Sequence, residues 1–267
     1  LPGTDHASIA TGQGPQQISP LVTVGGIEYL YVTNKTDNTV SVIRKSDGVT
    51  TATINVGTEP SGITAAIIGG VFNVYVANTG SNTVSVINAS SNTVSSTIAV
   101  GARPSHFELV ESKLYVTNTG SNTVSVINTG NNTVSSTIAV GMAPRGLQAL
   151  GTNLYVANYG DPNSIGGNYV SVINTVTDSV SDTILLPVGN AGNYDIVAHN
   201  RNLYLSNYLN NTVSVIDADT KTLEATISVS GGPRDIFMAN NSIYVSAFDG
   251  GTMWAINPNT NIETAII

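Results

Sequence analysis

Hydrophobic and polar residues alternate in short segments through most of this chain, and each segment ends in a polar turn. Residues 114–118 read Leu-Tyr-Val-Thr-Asn and residues 123–128 read Thr-Val-Ser-Val-Ile-Asn. Alternation with a period of two, rich in β-branched residues, predicts β-strands. The turns, such as Asn-Thr-Gly-Ser-Asn at residues 118–122, favour hairpins because Asn and Gly tolerate a positive φ. No ten-residue window has the apolar stripe of a helix, so the pattern predicts an all-β chain.

The alternating segments belong to a repeat, which a tyrosine marks. The marker recurs at spacings of 44, 40, 40, 49 and 40 residues, at Tyr31, Tyr75, Tyr115, Tyr155, Tyr204 and Tyr244. Each repeat contains four predicted strands, a to d. Strand a follows a proline, and in the repeat of Tyr115 the others are residues 114–118, 123–128 and 133–140. Four antiparallel strands in about 40 residues are typical of one propeller blade. The sequence therefore predicts a single domain over residues 1–267, a six-bladed β-propeller of four-stranded antiparallel blades.

One position of strand c is small in most blades and large in the last. It holds Ser85, Ser125, Ser171 and Ser214, and then Trp254. Short side chains there would let neighbouring sheets pack closely. We expect Trp254 to fill the gap where the ring closes, and the alternative is that it stacks on a ligand.

Two terminal segments compete for one position in the ring. Residues 5–12 and residues 262–267 both align with strand d, so both are candidates for the outer strand of the last blade. The other segment would add a fifth strand or pair with a neighbouring molecule, because an unpaired apolar edge is a template for pairing. Self-association through the terminal strands is therefore one hypothesis, and a plain monomer is the alternative.

Composition excludes several classes of function. Charged residues make up 10% of the chain, the net charge is −8 and cysteine is absent. Nucleic-acid binding requires a basic surface, so no nucleic-acid partner is expected. Without cysteine the chain has no disulfide or thiolate metal site. No apolar run approaches the ~20 residues that span a bilayer, so we predict no membrane span.

Motifs for common chemistry are also missing. The sequence has no G-x-S-x-G elbow and no phosphate-binding loop. His6, His106 and His199 fall in different parts of the repeat and do not form a metal-binding pair. The segment that begins at Asp161 is only weakly similar to a calcium loop, because it lacks a closing acidic residue. We therefore predict no metal and no cofactor.

The repeat is least regular in blades 4 to 6. Tyr155 and Val170 are 15 residues apart, whereas Tyr115 and Val124 are 9 apart, so blade 4 has a longer b–c loop. Antiparallel order places the b–c and d–a loops on one face. Aromatic and charged residues around a concavity suit a small-ligand or sugar site. The candidate ligand- or partner-binding residues are Arg145, Tyr159, Asp161, Tyr194, Asp195, Tyr208, Arg234, Asp235 and Phe248. The alternative is that the aromatic rings only plug the mouth of the channel.

The tyrosine-centred segments also carry a family resemblance. Residues 31–34 and 115–118 read YVTN, residues 75–78 and 155–158 read YVAN, and NTVSVI follows in several blades. The chain thus resembles the YVTN β-propeller repeat family, although the sixth copy departs from it as YVSA. The resemblance implies an extracellular or cell-surface protein, such as a surface-layer module. Possible glycosylation sites are Asn34, Asn88, Asn131, Asn210 and Asn240, although a chain rich in Asn, Ser and Thr also produces such sequons by chance.

Two functional hypotheses from different classes follow. The first is a non-enzymatic structural or interaction module that binds a protein or glycan at the cell surface and self-assembles. The second is a propeller enzyme, a lyase or lactone hydrolase, with Arg145, Arg234, Asp195 and Asp235 at the channel mouth. They differ in whether these side chains converge on one pocket within hydrogen-bond reach.

Overall fold

The computed structural model describes residues 8–160, 169–187 and 192–266. Their strands form six antiparallel sheets in chain order, and the inner strands of all six line one channel. The predicted all-β fold with six antiparallel blades is confirmed. Five sheets have four strands, whereas in blade 1 strand a is split into two short strands that both pair with strand b. Pro20, between them, cannot donate a ladder hydrogen bond.

Each blade runs from strand a at the channel to strand d at the periphery. The a strands are Pro15–Ile18 with Val22–Val24, Pro60–Ile68, Pro104–Val110, Pro144–Leu150, Asn193–His199 and Pro233–Ala239. The b strands are Ile27–Asn34, Val71–Asn78, Lys113–Asn118, Asn153–Asn158, Asn202–Asn207 and Ser242–Ala247. The c strands are Thr39–Arg44, Thr83–Asn88, Thr123–Asn128, Tyr169–Asn174, Thr212–Asp217 and Thr252–Asn257. The d strands are Val49–Asn55, Thr93–Ala99, Thr133–Ala139, Ser179–Leu185, Thr222–Ser228 and Ile262–Ile266. One turn of 3₁₀-helix, Tyr208–Asn210, follows strand b of blade 5.

The core lies between blades. Apolar side chains from facing sheets form buried clusters at the seams from blades 1–2 through to blades 5–6. The marker tyrosines of blades 1 to 5 lie in this core, and each hydroxyl donates a hydrogen bond to the c–d turn of the next blade. We call these contacts the tyrosine links. Their O···O distances are 3.0 Å for Tyr31–Asn92, 3.0 Å for Tyr75–Asn132, 2.6 Å for Tyr115–Asp178, 3.4 Å for Tyr155–Ala218 and 2.8 Å for Tyr204–Asn261.

The serine of strand c has a more specific role than close packing. The buried Asn118, last in strand b, donates through Nδ2 to Ser125 Oγ at 2.9 Å and to Thr123 Oγ1 at 3.1 Å. The same asparagine–serine hydrogen bond occurs in blades 1, 2, 4 and 5. In blade 6 both partners change together, to Ala247 and Trp254. Trp254 is 8% exposed, and its indole N–H donates to the Ser230 carbonyl at 3.1 Å. It belongs to the buried cluster between blades 5 and 6. Its role is therefore packing, as expected, but at the seam of blades 5 and 6 and not where blade 6 meets blade 1.

The C-terminal candidate segment forms the outer strand of blade 6, since Ile262–Ile266 pairs antiparallel with strand c. Residues 8–12 form no strand. Gly12 nevertheless lies against the Asn34 side chain, as Gly101 lies against Asn118, so these residues enter blade 1 like an ordinary d–a connector. Residues 1–7 and Ile267 lie outside the described residues, and strand-mediated self-association stays a prediction.

Candidate functional site

All six a strands begin with the same local geometry. The residue before the strand has a φ of +49° to +76°, at Gly14, Glu59, Arg103, Ala143, Gly192 and Gly232. A bulge follows: in blade 4, for example, Pro144 pairs with Asn158 and Leu147 with Val156, which leaves one extra residue in strand a. Bulges redirect side chains and are common beside functional sites. In blades 4 to 6 the first residue after each strand's first position is Arg145, Tyr194 or Arg234.

In blades 4 to 6 this geometry brings two rows of side chains together. The inner row is Arg145, Tyr194 and Arg234, each the second residue of its strand a. The outer row is Tyr159, Tyr208 and Phe248, each the first residue after its strand b. Each inner residue lies beside the outer residue of its own blade, because the first residue of strand a pairs with the last residue of strand b. We call these six residues the Arg–aromatic array.

The array is held together by contacts between cations and rings. Arg145 lies over Tyr159 and Tyr194, with its guanidinium carbon 5.1 and 4.5 Å from the ring centroids. Arg234 lies 5.3 Å from Tyr194, 5.0 Å from Tyr208 and 3.4 Å from Phe248. Such contacts are attractive because the ring face carries partial negative charge. The equivalent positions of blades 2 and 3 hold Ser61, Ser105, Thr79 and Thr119, so the array is confined to one half of the face.

The two guanidinium groups have no counter-ion among the residues that the structure describes. Among the described residues, no ion pair or hydrogen bond involves Arg145 or Arg234 side chains, and the buried Nε of each has no partner. A buried N–H without a partner is costly, about 1–3 kcal/mol. The ring faces attract the charges but leave the N–H donors at the edge of each guanidinium plane unused.

In strand a of blades 5 and 6, an acidic residue directly follows the residue of the inner row. Asp195 accepts hydrogen bonds from the backbone N–H of Ile196 at 2.9 Å and of Ile236 at 3.2 Å. Burial raises the pKa of Asp195 to about 7, although these two hydrogen bonds oppose the shift and the charge of Asp235 adds to it. Asp235 occupies the equivalent position of blade 6 and is exposed. Its backbone N–H donates to Ser246 Oγ at 3.1 Å.

His106 reaches the array from blade 3. Its ring meets the Tyr194 ring edge-on at 6.5 Å, and its Nδ1 lies 3.1 Å from Ser105 Oγ. Burial lowers the pKa of His106 to about 4, with Asp235 opposing the shift and Arg145 adding to it. His106 is therefore neutral at physiological pH and does not compete with the two arginines for an anion.

The channel below the array is a cavity of about 420 Å³ lined by all six a strands. Polar side chains in it connect neighbouring blades: Gln17 accepts from Ile63 N at 2.9 Å, Glu108 from Ala149 N at 2.9 Å and Gln148 from Ala198 N at 3.1 Å. Asp195 makes the same kind of contact from blade 5 to blade 6. These four acceptors satisfy backbone N–H groups of the next blade, which is a structural role.

Eight of the nine predicted site residues lie in or beside the array. The array unites six of the nine, and Asp195 and Asp235 lie just below it. Asp161 lies outside the described residues. The sequence did not identify Asp249, which accepts from the Tyr208 hydroxyl at 3.3 Å. Its signal was the sixth b–c turn, Phe-Asp-Gly-Gly, which departs from the usual polar turn.

The predicted glycosylation sites differ in accessibility. Asn34 is fully buried, and its Nδ2 donates to Thr39 and Ser41. The prediction for Asn34 is therefore wrong for the folded chain, because its amide cannot reach a glycosyltransferase. Asn131 and Asn240 are exposed, and Asn88 and Asn210 are partly exposed. Glycosylation at these four positions stays a prediction.

The described part of the chain contains neither a metal-binding cluster nor a membrane-spanning helix. Within residues 8–160, 169–187 and 192–266, no group of three or more His, Asp or Glu side chains could hold a metal ion. The same residues contain no helix long and apolar enough to cross a membrane.

Comparison with known proteins gives similarity of fold alone. No protein-family model matches the chain, and no curated protein sequence matches it. Among solved structures, the chain is similar to Kuenenia stuttgartiensis hydrazine synthase with a TM-score of 0.81 and 17% sequence identity. The similarity covers 100% of this chain and 89% of the other. At this identity the likeness supports the propeller architecture and carries no statement about activity.

Proposed function

We propose that this protein is a non-enzymatic binding module of the extracellular or cell-surface YVTN type, which recognises a glycan through the Arg–aromatic array. The observation that carries the proposal is the convergence of six side chains from three blades on one half of the channel mouth. The propeller supplies a rigid support, on which loop residues carry recognition. Rings with hydroxyl groups and exposed edges suit sugars, which offer both C–H faces and hydroxyls.

Chemical features of the chain support this reading over catalysis. Neither array arginine forms an ion pair with Asp195 or Asp235, so the acidic groups and the cations of this site do not meet within hydrogen-bond distance. Few charged residues and a surface of Ser, Thr, Asn and Gly are typical of secreted proteins. A protein partner at the same face and self-association through the terminal strands are further predictions of the same module.

A glycan array tests the proposal. We expect the intact chain to bind a subset of glycans, and the double variant Tyr159→Ala with Tyr208→Ala to lose at least about tenfold in affinity, because aromatic contacts in a binding site contribute on the order of 1–2 kcal/mol. The matched control is Thr79→Ala with Thr119→Ala, at the equivalent turns of blades 2 and 3. Equal loss in both double variants would contradict a site on blades 4 to 6.

A second candidate is an enzyme, a lyase or lactone hydrolase, and the titration of Asp195 favours it. A carboxyl group with a pKa of about 7 beside a 420 Å³ channel has the properties of a general acid or base. Both its oxygens, however, already accept backbone N–H groups. Turnover of a lactone or a polyuronate that is lost in Asp195→Asn and in Arg234→Ala would establish this candidate in place of the binding module.

A further inference from the structure

The Arg–aromatic array has features that select the charge of its ligand. Arg145 and Arg234 both face the ring of Tyr194, within 4.5 and 5.3 Å of its centroid. Two like charges that share one ring repel each other, and no acidic side chain of the described residues pairs with either. Binding of an anion would relieve this repulsion and would pair with the N–H donors at the ends of the two guanidinium groups.

The rings also fix how an anion can approach. A guanidinium that stacks on an aromatic face keeps its N–H groups in its own plane, at the rim of the stack. The guanidinium carbon of Arg234 lies over the Phe248 ring, 3.4 Å from its centroid. A carboxylate is planar and can accept two parallel N–H groups from such a rim. Arg234 covers one face of the Phe248 ring, so a sugar cannot stack on that face.

The charge of the surroundings limits how anionic the ligand can be. The chain carries a net charge of −8, and Asp235 and Asp249 are exposed beside the array. A densely charged polyanion would be repelled by this field, whereas a ligand with separate single charges can reach the two arginines. Carboxylates spaced along a sugar chain meet this condition better than a run of sulfates or phosphates.

The location of the array favours a sugar over a peptide. Peptides commonly bind by adding a strand to an unpaired sheet edge. In this propeller the outer edges are the d strands at the periphery, while the array lies at the inner ends of the blades. Its accessible groups are Phe248, which is 62% exposed, and the hydroxyl-bearing rings Tyr159 and Tyr208. These rings offer stacking and hydroxyl contacts, which suit pyranose rings.

We propose that the array binds a carboxylated glycan, an oligosaccharide with uronic-acid residues, whose carboxylates pair with Arg145 and Arg234 while its sugar rings lie against Phe248, Tyr159 and Tyr208. This inference rests on the proposed function, since it names the class of ligand for the same site. It adds the requirement that the glycan carries carboxylates, and this requirement can be disproved while glycan binding itself is retained.

The test compares two chemically matched oligosaccharides by isothermal titration calorimetry. The probes are hexagalacturonate and its fully methyl-esterified form, in which each carboxylate charge is replaced by a neutral methyl ester on the same sugar chain. We expect the acid to bind at least about tenfold more tightly than the ester, because charge-assisted hydrogen bonds contribute about 1.5–3 kcal/mol. The difference should shrink in high salt, as an exposed ionic contact is screened.

Variants then assign the charge dependence to the two arginines. Arg145→Gln and Arg234→Gln should each lower the affinity for the acid about tenfold and leave the ester unaffected. Arg145→Lys should recover part of the loss, because it keeps the charge without the planar fork. Arg103→Gln is the matched control, since Arg103 is an exposed arginine on the d–a connector of blade 3, away from the array. Circular dichroism and thermal melting establish that each variant is folded.

Three results would overturn the proposal. The first is that the ester binds as tightly as the acid and that only Tyr159→Ala with Tyr208→Ala weakens the binding of both. The site would then bind glycans regardless of their charge, so the proposed function would stand and the requirement for carboxylates would be wrong. If hexaglutamate binds more tightly than hexagalacturonate, the ligand is an acidic peptide. If hexagalacturonate does not bind at about 1 mM, a carboxylated glycan of this kind is not the ligand.

Discussion

Replacing Tyr115 by Phe would remove one tyrosine link while keeping the buried ring. The Tyr115 hydroxyl donates to Asp178 Oδ1 at 2.6 Å, and Asp178 also forms an ion pair with Lys113 at 2.8 Å. Burial raises the pKa of Tyr115, with the hydrogen bond to Asp178 adding to the shift, so the hydroxyl stays protonated and donates. The contact connects strand b of blade 3 to the c–d turn of blade 4.

The expected cost follows from the charge of the acceptor. A hydrogen bond to a charged group contributes about 1.5–3 kcal/mol to the free energy of unfolding, and one between neutral groups about 0.5–1.5 kcal/mol. Tyr115→Phe should therefore cost about 1.5–3 kcal/mol. Tyr75→Phe, whose acceptor is the amide of Asn132 at 3.0 Å, should cost less. Tyr155→Phe should cost least, since its contact with the Ala218 carbonyl is 3.4 Å long.

Urea denaturation followed by far-UV circular dichroism measures this series, with the shift in midpoint converted through a common m-value. The three variants lose the same oxygen atom from equivalent positions, so differences in apolar burial cancel. Equal losses in all three variants, or the largest loss in Tyr155→Phe, would refute the assignment of strength to the charged acceptor.

Three further predictions concern the channel and the blade interior. The pKa of Asp195 is raised to about 7 in the folded chain, whereas an aspartate in the unfolded chain has a pKa of about 4. Between these two pH values the folded chain holds a proton that the unfolded chain releases, so the free energy of unfolding falls as pH rises from about 4 to about 7. Asp195→Asn should therefore raise the urea midpoint relative to the parent more at about pH 8 than at about pH 5, and a constant difference would contradict the shift. A Cβ at Gly62 would overlap the Ser105 carbonyl oxygen, so Gly62→Ala should lower the free energy of unfolding by about 1–3 kcal/mol in the same assay. An unchanged midpoint would show that blades 2 and 3 can move apart to accommodate the methyl group. Asn118→Ala removes two buried hydrogen bonds and should lower thermal stability, and Ser125→Ala should do so less because only one of them is lost.

The fold could be predicted because the repeat carries it. A tyrosine with alternating neighbours and an Asn-rich turn recurs in every blade, and antiparallel order then fixes which loops share a face. The tyrosines served only as markers of the repeat, and their burial was not predicted. The break in strand a of blade 1 was not predicted either, although Pro20 lies at that point.

Details of the site depended on geometry that alternation does not encode. The bulge in strand a determines that Arg145 and Arg234 turn toward one ring, and a bulge has no fixed sequence signal outside glycine. The pairing of Asn118 with Ser125 joins positions 7 residues apart, and either residue alone suggested only a turn or a small packing group. The choice between the two terminal segments was open because both have the pattern of strand d.

Each tyrosine link has its donor in one repeat and its acceptor in the next. The repeats of blades 2 to 5 therefore each take part in two links, as the donor to the next blade and as the acceptor from the preceding one. Gene duplication of a whole repeat, in frame, supplies a new copy with both halves and leaves every existing junction intact. Recombination between two repeats, at a point between strand b and the c–d turn, would give a hybrid repeat that still has one donor and one acceptor. The near identity of residues 75–101 and 115–141 is what such copying would leave. The link therefore survives the copying of a repeat, because donor and acceptor are inherited together.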